Sequence, residues 1–377
     1  MTLRFEIFPS DLDATADFYT RVLRFEITAD RRDEPEPYLA FRRDAVRVGA
    51  VRHADEEHSS ERRPPVGVEL VLEVDDIDAE LLRTASDGTP PEKSTFSGSG
   101  RPGISEAMER DLPICATCGV QYGAPRADCP ICLDERQYVG WDGQRWTTLA
   151  ELQGQGRRGR VAEEGPGVTG VGADPPIAIG QRALLVAAPD GNVLWDMITY
   201  IDDELVDQVA RLGGVSAIAI SHPHFYGSMI EWAHAFDAPV YIHEDDRRWV
   251  ARPDESVVFW AGDTRRVGDG LTLVNLGVHF DGGQVLHQAS GPDRTGALFS
   301  GDIVAVALDR RWVSFMYSFP NYIPERPRKI RRALELLAPL RFDTVYGAWW
   351  GRVVRDNGTD ALRKSADRYL SFALDDV

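Results

Sequence analysis

A chain of 377 residues with 43% hydrophobic content is long enough for two or three domains with ordinary cores. Its formal charge of −18 argues against a general binder of nucleic acid or of an anionic membrane surface. No apolar run approaches the roughly 20 residues that cross a bilayer. Acidic residues also stand in the N-terminal stretch where a signal peptide would be apolar, so a cytoplasmic protein is expected.

Residues 1–85 read as strand, helix, then short strands. "LRFEIF" leads into "SDLDATADFYTRVL", with Ser10 or Asp11 as the N-cap and Leu12, Phe18, Tyr19, Val22 and Leu23 along one helical face. "YLAFRR" and "VRVGAV" alternate as strands, "GVELVLEV" is a stronger one, and "DIDAELLRTA" starts a second helix. On "SDLDATADFYTRVLRFEI" and "VELVLEVDDIDAELLRTASDG" this block resembles the vicinal oxygen chelate group, which includes glyoxalase I and bleomycin-resistance proteins. Arg24 stands where that group usually has Gly before the Phe. The resemblance implies a βαβββ α+β module, two of which normally build one cup. Here the second stops after its first strand and helix, so no complete metal site is expected, although Glu6 lies where a ligand could. A half-built sheet leaves an open edge, and pairing of two chains there, as a homodimer, is the expectation.

Residues 86–110, rich in Gly, Pro and Ser, read as a linker. The next block, 111–140, holds all four cysteines of the chain, as Cys115-x2-Cys118 and Cys129-x2-Cys132. Each pair can form a tight knuckle with two thiolates aimed at one ion, and two knuckles give the tetrahedral sulfur set that structural zinc prefers. "CGVQY" and "CPIC" resemble rubredoxin knuckles, which would hold iron. The short spacer and Leu133, where the second knuckle would usually have Gly, favour Zn2+ in a ribbon. A closed four-thiolate site has no open position, so this block is not expected to be catalytic. Residues 141–173 read as a connecting segment, its Gly-rich part at 154–172 as an irregular loop.

From 174 onward strands and helices alternate. "RALLVAA" and "GNVLWDM" form a hairpin around Pro189-Asp190-Gly191, a helix covers 203–213, and "VSAIAI" is a buried strand. "MIEWAHAF", "RPRKIRRALELLA" and "DALRKSADRYLSFAL" are helices; "PVYIH", "LTLVNL", "QVLHQ" and "ALFSGD" are strands. Two histidines one residue apart close the apolar run in "AISHPHFYGSM", as a metal site would begin.

Over 174–350 the pattern resembles the metallo-β-lactamase fold family, whose signature is H-x-H-x-D-H after a strand, then a His, an Asp and a final His. "LWDM" supplies Asp196 at the first acidic position, "SHPHFYG" His222 and His224, "GVHFDGG" His279, and "FSGDIV" Asp302. Tyr226 and Gly227 replace the signature's Asp and the His that follows it, and "TVYGAWWGRVV" lacks the final His. The resemblance therefore implies an αββα sandwich over 174–377 with one metal position retained. Its ligands would be His222, His224 and His279, with Asp302 as fourth ligand or proton acceptor. A single divalent ion, Zn2+ or another borderline metal, fits that set, and a two-metal clamp is not expected. Asp196 would orient a ligand or loop, His243 or His287 could reach the pocket, and Tyr226 would donate a hydrogen bond to a developing oxyanion.

The expected fold is thus α/β and multidomain: the βαβββ module, the zinc ribbon, then the sandwich. The leading functional expectation is a metal-dependent hydrolase or lyase acting on a small organic substrate. A degenerate scaffold for binding or assembly, and a glyoxalase-type detoxification fusion, are the alternatives.

Overall fold

The structure, a computed structural model, describes residues 4–7, 12–22, 24–34, 37–43, 46–51, 109–291 and 295–374. It divides into two compact units, 1–100 and 101–377.

In the first unit β1 (Arg4–Ile7) is followed by α1 (Leu12–Asp17), which runs on as a π-helical turn, Phe18–Val22. Then come β2 (Glu26–Arg31), β3 (Tyr38–Arg43) and β4 (Val46–Val51). The strand order is β1-β4-β3-β2 with β1 parallel to β4, which is the expected βαβββ unit. Leu12, Ala16 and Tyr19 pack on Phe25, Leu39, Phe41, Val48 and Ala50. Leu12, Ala16 and Tyr19 keep the i, i+4, i+7 face into the π turn. Phe18, expected on the buried stripe, stands about 100° from Tyr19 around the helix and is 46% exposed. The proposed cap at Ser10 or Asp11, Leu23, the side chains of Glu6 and Val22, the strand–helix pair at 67–85 and the linker through 108 lie outside the described residues.

The second unit begins with the cysteine block: β5 (Ile114–Cys115), the short α2 (Pro130–Leu133), β6 (Trp146–Thr147) and α3 (Leu149–Gly154). A seven-stranded sheet follows, built from β7 (Arg158–Gly165), β8 (Val168–Asp174), β9 (Ala183–Val186), β10 (Val193–Trp195), β11 (Ala217–Ala219), β12 (Val240–His243) and β13 (Val257–Trp260). They neighbour one another in sequence order, antiparallel from β7 to β10 and parallel from β10 to β13. Helices α4 (Asp203–Arg211) and α5 (Met229–Phe236) accompany this sheet.

The second sheet has β14 (Thr264–Gly268), β15 (Leu271–Asn275), β16 (Gln284–Gln288) and β17 (Ala297–Gly301). Two small hairpins intervene, β18 (Ala305–Val306) with β19 (Val313–Ser314) and β20 (Met316–Ser318) with β21 (Ile323–Pro324). After α6 (Pro327–Leu337), β22 (Thr344–Gly347) and β23 (Val353–Val354) complete the sheet in the order β14-β15-β16-β17-β22-β23, and α7 (Gly358–Ala373) follows.

The period-2 alternation of the strands explains the layering. Leu184 and Val186 of β9 and Trp195 of β10 face Leu271, Leu273, Leu286 and Phe299 of the second sheet in one core. The alternate residues Ala183, Leu185 and Leu194 face α4 and α5 through Leu205, Val209, Ile230 and Trp232. On the far side of the second sheet Val274, Val285 and Leu298 meet Ile330, Ala333 and Leu337 of α6 and Leu362 of α7. The layers run helix, sheet, sheet, helix.

The Gly-rich stretch read as an irregular loop is instead the β7–β8 hairpin, so the sheet starts at Arg158 and not after 173. Glycine here serves close approach. A Cβ on Gly159 would meet Leu205 Cδ1 at 2.6 Å, and one on Gly170 would meet the Trp350 ring at 2.5 Å. The cysteine block is not a separate bead either: Ile114, Cys118, Val120 and Ile131 share one core with Ile198, Tyr200 and Phe225. Gln121 N donates to Gly227 O, and Thr199 Oγ1 donates to Gly119 O. No helix among the described residues is long and apolar enough to cross a membrane.

Candidate metal centres

The four cysteines converge. Their sulfurs lie within 4.8 Å of one another, all buried. Cys115 Sγ is 3.6 Å from Cys132 Sγ, and Cys118 Sγ is 3.7 Å from Cys129 Sγ. Four thiolates each ~2.3 Å from one tetrahedral ion stand about 3.8 Å apart, so this spacing suits an S4 site. Tyr122 Oη lies 3.0 Å from Cys129 Sγ, and Gln144 Nε2 donates to Cys115 Sγ over 3.2 Å. Both orient thiolates from outside the set.

The histidine cluster sits where strand ends of the two sheets meet, beyond β10, β11 and β17 and in the β15–β16 connection. Ligand atoms of His222, His224 and His279 lie within 4.8 Å of one another, all three rings buried. His222 Nδ1 is 2.9 Å from Ser221 Oγ, and its Nε2 makes no hydrogen bond and stands 3.4 Å from Asp302 Oδ1. His279 Nδ1 donates to Tyr317 O at 2.9 Å, with Met316 O at 3.2 Å. That commitment leaves Nε2 of the neutral ring as a lone pair. It faces His224 Nδ1 at 3.3 Å.

Burial pushes all three imidazoles towards the neutral form, His222 and His224 well below the usual range and His279 down to about 4. Burial, with the charge of Asp196 added, raises Asp302 to about 8. Asp302 Oδ1 is buried and has no hydrogen-bond partner. Convergent lone pairs and an orphaned carboxylate oxygen are satisfied together by one cation, so the residues fit a divalent ion with nitrogen and oxygen ligands.

The support around this cluster is built from backbone as much as from side chains. Asp196 has φ of +58° directly after β10, and its Oδ1 accepts from Ser221 N at 2.8 Å, fixing the turn into His222. Asp tolerates this left-handed conformation. Burial raises Asp196 to about 7. His279 has φ of +66°, and its backbone N donates to the buried Glu325 Oε2 at 2.8 Å. The Phe280 ring centroid lies within 5.0 to 5.5 Å of all three imidazoles, edge-on to His224 and His279 and tilted to His222, and Phe225 lies 4.3 Å from His222. Trp349 in turn packs on Phe225.

Of the other sequence candidates, Tyr226 is buried with a hydroxyl that has no hydrogen-bond partner, and burial raises its pKa well above the phenol range. His243 lies outside the cluster, with Nε2 3.1 Å from Gly262 O and its ring edge-on to Trp260. It connects to the site through Trp260, which donates to Gln284 Oε1 while Gln284 N donates to Ser221 O, and through Asn275, which accepts from Gly277 N. His287 is turned away, with Nε2 2.9 Å from Arg341 O beside Phe342. A β-strand residue one step out of phase faces the other core, and only the sheet pairing reveals which. Ser221, Glu325, Phe280 and Arg136 contribute to the site and carried no sequence signal, since none belongs to a spaced motif.

The molecule therefore combines a glyoxalase-superfamily domain with an α/β unit that carries a four-cysteine and a three-histidine cluster. Residues 3–99 match the Glyoxalase/Bleomycin resistance protein/Dioxygenase superfamily. The uncharacterized protein YmaE of Bacillus subtilis (strain 168) is 46% identical over 261 residues, covering 68% of this chain and 95% of that protein. The chain belongs to the family of YmaE. Among solved structures, the HARLDQ-motif metallo-β-lactamase of Cronobacter sakazakii is 14% identical, covering 55% of this chain and 90% of its own, with a TM-score of 0.38. The metallo-β-lactamase of Hirschia baltica is 16% identical, over 56% of this chain and 97% of its own, with a TM-score of 0.40.

Proposed function

We propose that the chain is a metal-dependent hydrolase with a metallo-β-lactamase-type sandwich and a one-metal site, acting on a small organic substrate. His222, His224 and His279 hold the ion and Asp302 is the fourth ligand; a Zn2+ ion in the four-cysteine knuckle is structural. The observation that carries this reading is the set of buried, unpartnered ligand atoms, His222 Nε2 and Asp302 Oδ1, beside the facing nitrogens of His224 and His279. A divalent ion there supplies Lewis acidity towards water and a substrate oxygen. Ser221 and the Tyr317 carbonyl fix the imidazole orientations, and Phe225 and Phe280 exclude bulk water. Tyr226 keeps its proton and is the free O–H donor assigned to a developing oxyanion.

One observation favours a second reading, a scaffold that binds without turnover. His222, His224, His279 and Asp302 are all between 1% and 5% exposed, so substrate must displace part of the surround. Metal analysis with ester, thioester, lactone and amide hydrolysis assays separates the two. The hydrolase reading expects about two ions per chain, one lost in His222→Ala and the other in Cys115→Ser, with hydrolysis lost in His222→Ala. A protein that carries only the cysteine-dependent ion sinks it.

A further inference from the structure

Four residues beyond Cys132, Arg136 leaves the cysteine block and enters the histidine cluster. Its side chain is only 6% exposed. Nη1 donates to the carbonyl of His279 over 3.3 Å. The guanidinium lies 3.9 Å from the centroid of Phe280, the ring that touches all three imidazoles, with Trp249 and Tyr317 at 5.4 Å on either side. Asp134 grips the same guanidinium twice, Nε to Oδ1 at 2.6 Å and Nη2 to Oδ2 at 2.8 Å.

Neighbouring residues reinforce the contact. Tyr317 donates its O–H to Glu135 Oε1 at 2.6 Å, while the carbonyl of Tyr317 accepts from His279 Nδ1. Asn321 Nδ2 donates to Glu135 O at 2.8 Å and Gln137 O at 3.1 Å. The stretch 134–137 thus holds His279 from both sides, at its backbone through Arg136 and at its ring through the β20 strand that Glu135 anchors.

We propose that Arg136 is a positioning residue of the three-histidine centre, transmitting the geometry of the four-cysteine knuckle to His279. This rests on the reading that the histidines hold a metal ion. Three physical points support the assignment. A guanidinium buried without need is expensive, and here all three of its nitrogens donate and its face is covered. Pairing with Asp134 makes the brace close to neutral, so it can stand beside a cation site without a large repulsion. His279 occupies a left-handed backbone conformation that a β-carbon disfavours, and such a residue stays put only when its surroundings over-determine it. Carbonyl capture by Arg136 and amide capture by Glu325 provide that.

The test uses full-length protein stripped of metal and titrated with Co2+. Thiolate charge-transfer absorption reports the knuckle, and the visible d–d bands of a nitrogen/oxygen site report the histidines. In wild type both signals develop. Arg136→Ala is expected to weaken the histidine-site affinity by about 10- to 100-fold, the usual effect of removing a group that orients a ligand, with the charge-transfer signal unchanged. Arg136→Lys should recover part of the loss, because an ammonium reaches the carbonyl but cannot grip Asp134 in two places. It also carries the test if the alanine variant does not fold. Wild-type affinity and spectrum in Arg136→Ala would overturn the proposal, as would loss of both signals together in a folded Arg136→Ala or Arg136→Lys protein, which would make Arg136 a support of the whole fold and not of His279. A wild-type protein with the thiolate signal and no histidine-site band would instead sink the metal reading itself and the positioning role with it.

Discussion

Asp302 shows most directly how a single residue is held against its own solvation preference. A carboxyl raised from the usual range to about 8 binds a proton more tightly in the folded state than in the unfolded. Its stabilising contribution is fully present below the unfolded carboxylate pKa, about 4, and is lost as pH rises towards 8. His279, lowered to about 4, works in the opposite direction, contributing above about pH 6.5 and losing its contribution as pH falls towards 4. Metal-free Asp302→Asn should therefore melt above metal-free wild type at pH 8 to 9, by up to a few kcal/mol, and near it at pH 4. Added metal should reverse the order, because the variant lacks the anionic ligand. Thermal melts with and without chelator check this, and a metal-free variant less stable than wild type at pH 8 would contradict it. The convergence of His222, His224, His279 and Asp302 was legible because their order along the chain marks strand ends. Arg136, Glu325 and Phe280 were not, because a residue that orients a ligand through backbone or ring face has no required type at a required spacing.

Among the elements, the β7–β8 hairpin is where sequence reasoning and structure part. Glycine density reads as an irregular loop, whereas Gly159, Gly170 and Gly172 are the places where Leu205 and Trp350 pack directly onto backbone. Nothing local distinguishes a glycine kept for its freedom from one kept for its missing Cβ. Gly301, at the end of β17, needs both. Its φ is +55°, and a Cβ would stand 2.6 Å from Ser221 Oγ and 2.9 Å from Asp196 Oδ2. Gly301→Ala should cost about 2 to 4 kcal/mol through backbone strain and overpacking, and should also disturb the turn that carries His222. Denaturant midpoints measure the first effect and metal content the second; a midpoint within experimental error of wild type would refute the assignment. Helices behaved more simply: "MIEWAHAF" is a helix from end to end, Met229–Phe236, with every residue but His234 and Phe236 buried.

At the scale of the molecule, the relative YmaE is spanned over 95% of its length by 68% of this chain, so much of the second unit has a counterpart there. Residues 109–377 are expected to fold alone and keep both metal centres, since the cysteine knuckle shares its core with the seven-stranded sheet. The proposed homodimer through the N-terminal module is tested with the same fragment: the full chain should weigh as a dimer in solution and the fragment as a monomer. Equal association states for the two would remove the module from that role. The sequence by itself determined the βαβββ order of the first unit, the pairing of the four cysteines and which three histidines cluster, because hydrophobic period and spaced motif residues are local properties. Only the tertiary structure decided that the glycine-rich stretch is sheet, that His287 turns away from the cluster, and that the cysteine block braces His279 through Arg136. Those are facts about which face of one element meets another, and they exist only once the two sheets have packed.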